Sequence, residues 1–246
     1  MSLIFSYSVR VAARTLYDKT RTVCESDLEH CARIGRMASD NLDRELITRA
    51  AIELLDADGL DGLSMRRLGS KLGAGATSIY WYVKNKDALF ALAADEVFGA
   101  IDLPDPHTVG WRQAAASMAH GLRSAILEHT WLGPVFGTHP VYGPKMARWV
   151  DHCLGIFTLA GFSGSRLDWA GDTVLAYVLG KTLSESAVST RKPAEMADLI
   201  SRARQTAEAF PRLRERFDAP SEGDGFDFGL DVVLDGLEAA LRPRTP

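Results

Sequence analysis

From Leu42 onward the apolar residues recur at helical spacing. Asp43 stands as an N-cap, with Leu42 and Ile47 placed to staple the start. Leu46, Ile47, Ala50, Ala51, Leu54 and Leu55 fall at i, i+1, i+4, i+5, i+8 and i+9, one apolar face of a helix. Asp58-Gly59 closes it, because glycine enters the positive-φ region that ends helices without a steric penalty. Ser64 caps a second, shorter helix, stapled by Leu63 and Leu68. In it Met65, Leu68 and Leu72 recur at i, i+3 and i+7 until Gly73 breaks the run. A third short helix is predicted over 75–83, and a fourth from Asn85 carrying Leu89, Leu92, Ala93, Val97 and Phe98. The prolines of Asp102-Leu103-Pro104-Asp105-Pro106 cannot continue a helix and mark a domain boundary. Beyond it the pattern predicts helices over 109–128, 144–160, 163–189, 194–209 and 226–241, punctuated by Gly161 and the Gly/Asp/Pro-rich stretch 218–225.

No Val/Ile/Thr/Tyr alternation bounded by hairpin turns interrupts this pattern, and no solenoid repeat is present. The expected class is all-α. Residues 1–41 form an N-terminal arm, 42–101 a small helical unit, and 107–246 a larger helical domain. Composition narrows the options. With 246 residues, 46% hydrophobic and 24% charged, the chain is neither a disordered tail, a collagen-like rod nor a disulfide scaffold. No apolar run approaches the ~20 residues of a membrane span. No signal peptide is expected, since Leu3-Ile4-Phe5 is too short for its apolar region. Cys24, Cys31 and Cys153 are odd in number and lack metal-ligand spacing, which reads as reduced thiols in the cytoplasm.

Charge then separates one segment from the rest. The net charge of −4 argues against coating nucleic acid with the whole surface. Yet between Gly62 and Lys86 the chain holds Arg66, Arg67, Lys71, Lys84 and Lys86 and no acid. Phosphates favour such a patch, because neutralising them releases condensed counterions. This patch lies on two short helices joined around Gly73, the spacing of a helix-turn-helix. On a wheel of the third helix, Ala76, Ile79 and Val83 face the core. Thr77, Trp81 and Lys84 face away, with Ser78 and Tyr80 at the flanks and Tyr82 nearer the core side. Hydroxyls, aromatics and a lysine on an outward face can touch phosphates and base edges in a major groove. Short helix pairs joined by glycine are also common without any such role, and the run Tyr80-Trp81-Tyr82 also fits a core.

At these residues the sequence resembles a known family. Ala-Ile-Glu-Leu-Leu-x-x-x-Gly at 51–59, Leu63-Ser64-Met65-Arg66-Arg67-Leu68 with Lys71-Leu72-Gly73, and Ile79-Tyr80-Trp81-Tyr82-Val83-Lys84-Asn85-Lys86 resemble the DNA-binding domain of TetR-family transcriptional regulators over Leu42 to Glu96. The resemblance implies that Arg66 contacts a base or phosphate, that Thr77 and Tyr80 contact bases or backbone, and that Tyr82 and Lys86 clamp phosphates. Together with the wheel it gives Ser64, Arg66, Ala76, Thr77, Ser78, Tyr80, Trp81, Tyr82, Lys84 and Lys86 as the candidate DNA-contacting set.

A weaker likeness covers 111–184 and 226–241 and is similar to the tetracycline-repressor branch, through Trp111-Arg112, Gly137-Thr138-His139-Pro140 and Gly161-Phe162-Ser163. In that branch an acidic pocket with a histidine holds magnesium–tetracycline. Here Val135, Ala176 and Ser184 stand where a metal-binding histidine, a second histidine and a glutamate would be, while Thr138 is kept. Losing imidazole and carboxylate removes the strongest ligands for a hard cation. The expected effector is therefore a small molecule other than magnesium–tetracycline, with no metal and no cofactor. The candidate ligand residues are Met118, Leu122, Val135, Thr138, His139, Trp149, His152, Cys153, Asp172, Ala176 and Tyr177.

Residues 163–183 are apolar all round, and Phe226, Leu230, Val233, Leu234, Leu237 and Leu241 form a stripe. A helix without a solvent face must be covered on two sides. The resemblance implies a four-helix dimer interface, with Leu167, Val174, Val178, Leu230, Val233, Leu234, Leu237 and Leu241 as candidates. The resulting expectation is a homodimeric, ligand-released repressor on a palindromic double-stranded operator, with no membrane partner. Two other classes compete. An enzyme on a helical bundle would need a nucleophile–base–orienter set, and none is visible. A helical ligand-binding or interaction protein with a non-functional helix-turn-helix would not need the acid-free basic stretch 62–86. The arm, with six basic residues and a net +2 over 1–39, either lies along DNA or packs on the body.

Overall fold

A computed structural model describes residues 42–189, 192–219 and 225–242. The arm 1–41, with Cys24 and Cys31, lies outside the described residues. All the regular elements among these are helices. They are α1 (Arg44–Gly62), α2 (Met65–Lys71), α3 (Ala76–Tyr82), α4 (Lys86–Gly99), α5 (Pro106–Val109), α6 (Trp111–Glu128), α7 (Leu132–Thr138), α8 (Pro144–Ala160), α9 (Ser165–Ser189), α10 (Pro193–Ala207), α11 (Pro211–Asp218) and α12 (Gly225–Leu241).

The helix ends obey the local chemistry. The Asp43 carboxylate accepts the Leu46 N–H at 2.7 Å, the Ser64 hydroxyl oxygen accepts Arg67 N–H at 3.2 Å, and Asn85 accepts Ala88 N–H at 2.8 Å. Gly59 takes φ 66°, so α1 breaks there and one further turn follows. Three short helices carry no readable period: α5, α7 and α11, of four, seven and eight residues. Pro106, Pro144, Pro193 and Pro211 each open a helix, where a missing N–H loses no bond.

α2 and α3 cross closely at Gly69, where a Cβ would stand 2.6 Å from the Ala74 carbonyl oxygen. Ile79 and Val83 fill the core between these helices and α1. α4 packs on α1 in this head and on α8 in the body. α6, α8 and α9 pack on one another, and α12 lies along α9. The buried Asp95 of α4 accepts the Met146 N–H of α8 at 2.8 Å. The α8 N-cap residue is Gly143, whose Cβ would lie 2.2 Å from the Asp95 carboxyl carbon, so the cap arrives from another helix. Lys145 and Glu96 pair beside it at 2.5 Å. A second tie joins α1 to the α6–α7 connection: Asp56 accepts Trp131 Nε1–H at 2.6 Å and lies 2.8 Å from His129 Nδ1.

The structure corrects the expected dimer stripe. Val174, Val178, Leu230 and Leu234 are turned into the subunit's own core, and Leu167, Val233, Leu237 and Leu241 are half-buried at its edge. The apolar period was read correctly, but its strongest stripe closes the monomer. What α9 and α12 leave uncovered is a different face, with Trp169, Thr173, Ala176 and Gly180 on α9 and Phe228 and Val232 on α12.

Substituting Gly69→Ala is expected to destabilise the head by about 1–3 kcal/mol, because backbone must move to admit the methyl group. Gly155→Ala, at an exposed α8 position with nothing near its Cβ, is expected to stabilise by about 0.5–1 kcal/mol. Denaturant unfolding of the two variants checks both signs.

Candidate functional site

The outward face of the head is built by α2 and α3. Core contacts of Leu68, Ile79 and Val83 fix the roll of both helices. Thr77, Tyr80, Trp81 and Lys84 consequently face solvent, while Ala76 and Ser78 are half-buried. Tyr80 and Trp81 are 53% and 62% exposed, large values for aromatic side chains. Tyr82, which the wheel put nearer the core, is 36% exposed and stands at the rim of this face. Ser64 is half-buried, its oxygen occupied by the cap of α2.

The five basic residues are not equivalent. Arg67 pairs with Asp58 of α1, and Lys71 with Glu53 of α1 at 2.8 Å. Lys86 donates to the Leu60 carbonyl at 2.9 Å and sits 5.3 Å over the Phe90 ring, so it ties α4 to the end of α1. Arg66 and Lys84 are exposed and make no ion pair among the described residues. The segment is acid-free in sequence but not in space, because α1 supplies two carboxylates to its inner edge. The free positive charge is left flanking the aromatic face.

The second site is a cavity enclosed by α6, α8 and α9. Its wall is Ala115, Met118, Ala119 and Leu122 of α6, Trp149, Cys153, Ile156 and Phe157 of α8, and Gly171, Val174, Leu175 and Val178 of α9. Of the sequence candidates, Met118, Leu122, Trp149 and Cys153 line it. Val174 and Val178, expected at the dimer interface, line it too. Ala115, Ala119, Ile156, Phe157, Gly171 and Leu175 were missed. Their signal was the helical repeat itself: 115, 118, 119 and 122, then 149, 153, 156 and 157, mark two facing stripes. The space is narrow: a water-sized sphere reaches about 30 Å³ of it, within about 430 Å³ counting the mouth. Trp149 is 6% exposed, and its Nε1 hydrogen is buried without an acceptor. Burial alone pushes the Cys153 thiol up to about 12, so it stays uncharged.

The other candidates lie elsewhere. Val135 is buried on α7. The Thr138 hydroxyl lies 2.8 Å from the Pro134 carbonyl and 2.7 Å from His139 Nδ1. The His139 ring rests on Phe90 at 4.5 Å, with Nε2 3.6 Å from Asp87, at the start of α4. His152 donates to the Pro104 carbonyl at 2.8 Å, and Tyr177 donates to the Phe226 carbonyl at 2.7 Å. Ala176 lies on the uncovered face of α9. Asp172 adjoins Gly171 in sequence but does not line the cavity, and desolvation, reinforced by Asp168, raises its carboxyl above the usual range. These side chains fix the structure's joints rather than meeting in one pocket. A wider, solvent-open cleft of about 770 Å³ separates the end of α4 from α6, edged by Asp102, His120 and Glu128.

Sequence comparison accounts for this arrangement. Residues 47–93 match the model of the bacterial regulatory proteins, tetR family, and 103–241 match the tetracyclin repressor-like C-terminal domain. The chain belongs to the TetR family of transcriptional regulators. An HTH-type transcriptional regulator from Saccharopolyspora erythraea is 34% identical over 203 residues, 80% of this chain and 85% of the relative. Tetracycline repressor protein class D from Escherichia coli is 31% identical over 210 residues, 81% of this chain and 91% of the relative. The TetR-family protein ActR from Streptomyces coelicolor, solved in complex with actinorhodin, superposes with a TM-score of 0.71 at 27% identity, covering 82% of this chain and 99% of ActR. No helix among the described residues of this TetR-family chain is long and apolar enough to cross a membrane.

Cys153 is expected to resist iodoacetamide at pH 8 in the folded protein, where about one thiol in 10⁴ is ionised, and to react once the chain is unfolded. Site-resolved mass spectrometry reads this directly. Because the folded thiol titrates higher than the unfolded one, its stabilising contribution is present below about 9 and fades as pH rises through 9 toward 12.

Proposed function

We propose that this TetR-family chain is a cytoplasmic repressor that binds a palindromic operator as a homodimer and releases it when a small molecule enters the α6–α8–α9 cavity. The observation that carries the DNA half is the outward face of α3: Thr77, Tyr80 and Trp81 exposed, with Arg66 and Lys84 unpaired on either side. Exposed aromatics and hydroxyls between free cations suit a groove with phosphate walls. The head 42–101 reads DNA, and the body 107–246 binds effector and partner.

The dimer rests on the uncovered face of α9 and α12. Trp169, Thr173, Ala176 and Gly180 recur at steps of four, three and four along one side of α9, a seam fit for a second helix. Phe228, 75% exposed, and Val232 continue it on α12. A two-fold axis through this face sets two recognition helices about one DNA turn, ~34 Å, apart or a multiple of it.

Release follows from the tightness of the cavity. It is too narrow for an effector as it stands, so entry must spread α6, α8 and α9. α8 is fastened to α4 through the Asp95 cap, and α4 begins beside α3. A displaced α8 therefore moves the head, and a coupling of about 1–3 kcal/mol lowers operator affinity severalfold to a hundredfold. Val135, Ala176 and Ser184 offer no ligand for a hard cation, which directs the effector away from magnesium–tetracycline. ActR, of similar fold, was solved with the organic ligand actinorhodin.

Binding to duplexes from around the chain's own gene tests this reading. Arg66→Ala and Lys84→Ala are each expected to weaken binding and to reduce the salt slope by about 1. Arg67→Ala and Lys71→Ala should do less, since α1 carboxylates already neutralise those cations. Unchanged affinity and slope in an Arg66→Ala/Lys84→Ala double variant would overturn the DNA assignment. Phe228→Asp with Val232→Asp is expected to give a folded monomer in sedimentation, and a persistent dimer would place the interface elsewhere.

A further inference from the structure

The cavity's wall is more selective than its apolar character suggests. Almost all of it is hydrocarbon: methyl groups of Ala115, Ala119, Val174 and Val178, Leu and Ile side chains, and the Phe157 ring. It contains no ionisable group other than Cys153, which burial keeps as a neutral thiol. A carboxylate, phosphate or ammonium entering here would lose its water without meeting a counter-charge, a heavy desolvation penalty. Trp149 supplies the one strong hydrogen-bond donor among the lining side chains, and its Nε1–H is buried with no acceptor. Buried donors in folded proteins are nearly always paired, so an orphaned indole N–H on a cavity wall is open to a partner from outside the chain. Trp149 and Cys153 lie one turn apart on the same face of α8, which sets this donor among the aliphatic groups of α6 and α9.

We propose that the cavity takes an uncharged, ring-containing apolar molecule bearing a carbonyl-type oxygen, and that Trp149 Nε1 donates to that oxygen. Flat rings match a space between three helices whose walls are methyls and one phenyl group. The oxygen is recognised by geometry rather than by charge. Removing it leaves the indole N–H as unpaired as in the empty cavity, so affinity falls but binding persists. Adding a negative charge brings in an unmatched ion, and binding is lost. Trp149 is thus the residue that sets which ligand is admitted, while the aliphatic wall sets how large it is. This inference rests on the cavity being the effector site only for its biological meaning. The chemistry of binding stands apart from it.

The test uses the full-length protein and three bicyclic probes of similar shape: 1-tetralone, tetralin, which lacks the oxygen, and 1,2,3,4-tetrahydro-1-naphthoate, which is charged. Calorimetry is expected to rank tetralone about tenfold above tetralin, the worth of one hydrogen bond to an otherwise unpaired donor, with the carboxylate not binding. In ¹⁵N-indole spectra the Trp149 N–H resonance, assigned with Trp149→Phe, should move downfield with tetralone and not with tetralin. Trp149→Phe keeps a ring but no donor and should level tetralone to tetralin. If that variant fails to fold, the probe ranking and the wild-type indole resonance still decide. Equal binding of tetralone and tetralin, tighter binding of the carboxylate, an unmoved indole resonance, or no binding by any probe would each overturn the proposal. Operator release is read separately by anisotropy. Tetralone binding that leaves operator affinity unchanged keeps the ligand class and sinks the effector reading. Operator release by a ligand that leaves the Trp149 resonance untouched keeps a ligand-released repressor and sinks this site.

Discussion

The contact on which the architecture turns is the carboxylate of Asp95 at the N-terminus of α8. A helix start exposes unpaired N–H groups and a partial positive charge, and its own N-cap side chain ordinarily answers both. Here the N-cap is Gly143, and Asp95 reaches in from α4 to accept the Met146 N–H. The glycine is not incidental, since any Cβ would collide with the carboxylate. Two helices that would otherwise only pack are thereby joined end to side by a directional, charged bond with little exposure to water. One of them leads to the recognition helix and the other walls the cavity. Packing alone tolerates sliding, whereas a cap does not.

Charge distribution follows a similar logic. A count along the chain shows five cations and no acid between Gly62 and Lys86. Folding lays α1 against α2, and Glu53 and Asp58 neutralise Lys71 and Arg67. Lys86 is spent on the Leu60 carbonyl and the Phe90 ring, where it holds α4 to α1. The remaining cations, Arg66 and Lys84, border the aromatic face. The inner charges assemble the head, and the outer ones are left for a partner.

Legibility in sequence tracked the physical range of each signal. Caps, breaks and long helices are local, and Asp43, Ser64, Gly59 and the 144–160 helix stand where residue chemistry puts them. Short helices such as Leu132–Thr138 contain too few residues to show a period, and tertiary contacts alone hold them. The outward face of α3 was legible because Ile79 and Val83 set its roll. The cavity was half legible: four of its residues stand out, but the alanines and Gly171 matter for the room they leave, which a sequence does not display. His139, His152 and Tyr177 attract attention as polar groups in apolar stretches. Their bonds to Asp87, Pro104 and Phe226 lie far along the chain and become visible only once it is folded.

The all-round apolar character of α9 has two causes that sequence cannot separate. Val174 and Val178 look inward to the cavity, while Trp169, Ala176 and Gly180 look outward to solvent. A single helix therefore forms one wall of the cavity and the face proposed for the partner. A ligand that pushes α9 from within presses on that seam, and a partner that fixes the seam denies α9 the freedom to yield. With α9 held, the strain of ligand entry falls on α6 and α8. Of these, α8 carries the rigid tie to α4 through Asp95. Dimerisation then does more than double the head: by bracing one wall it directs the cavity's expansion into the helix that moves the DNA-contacting face.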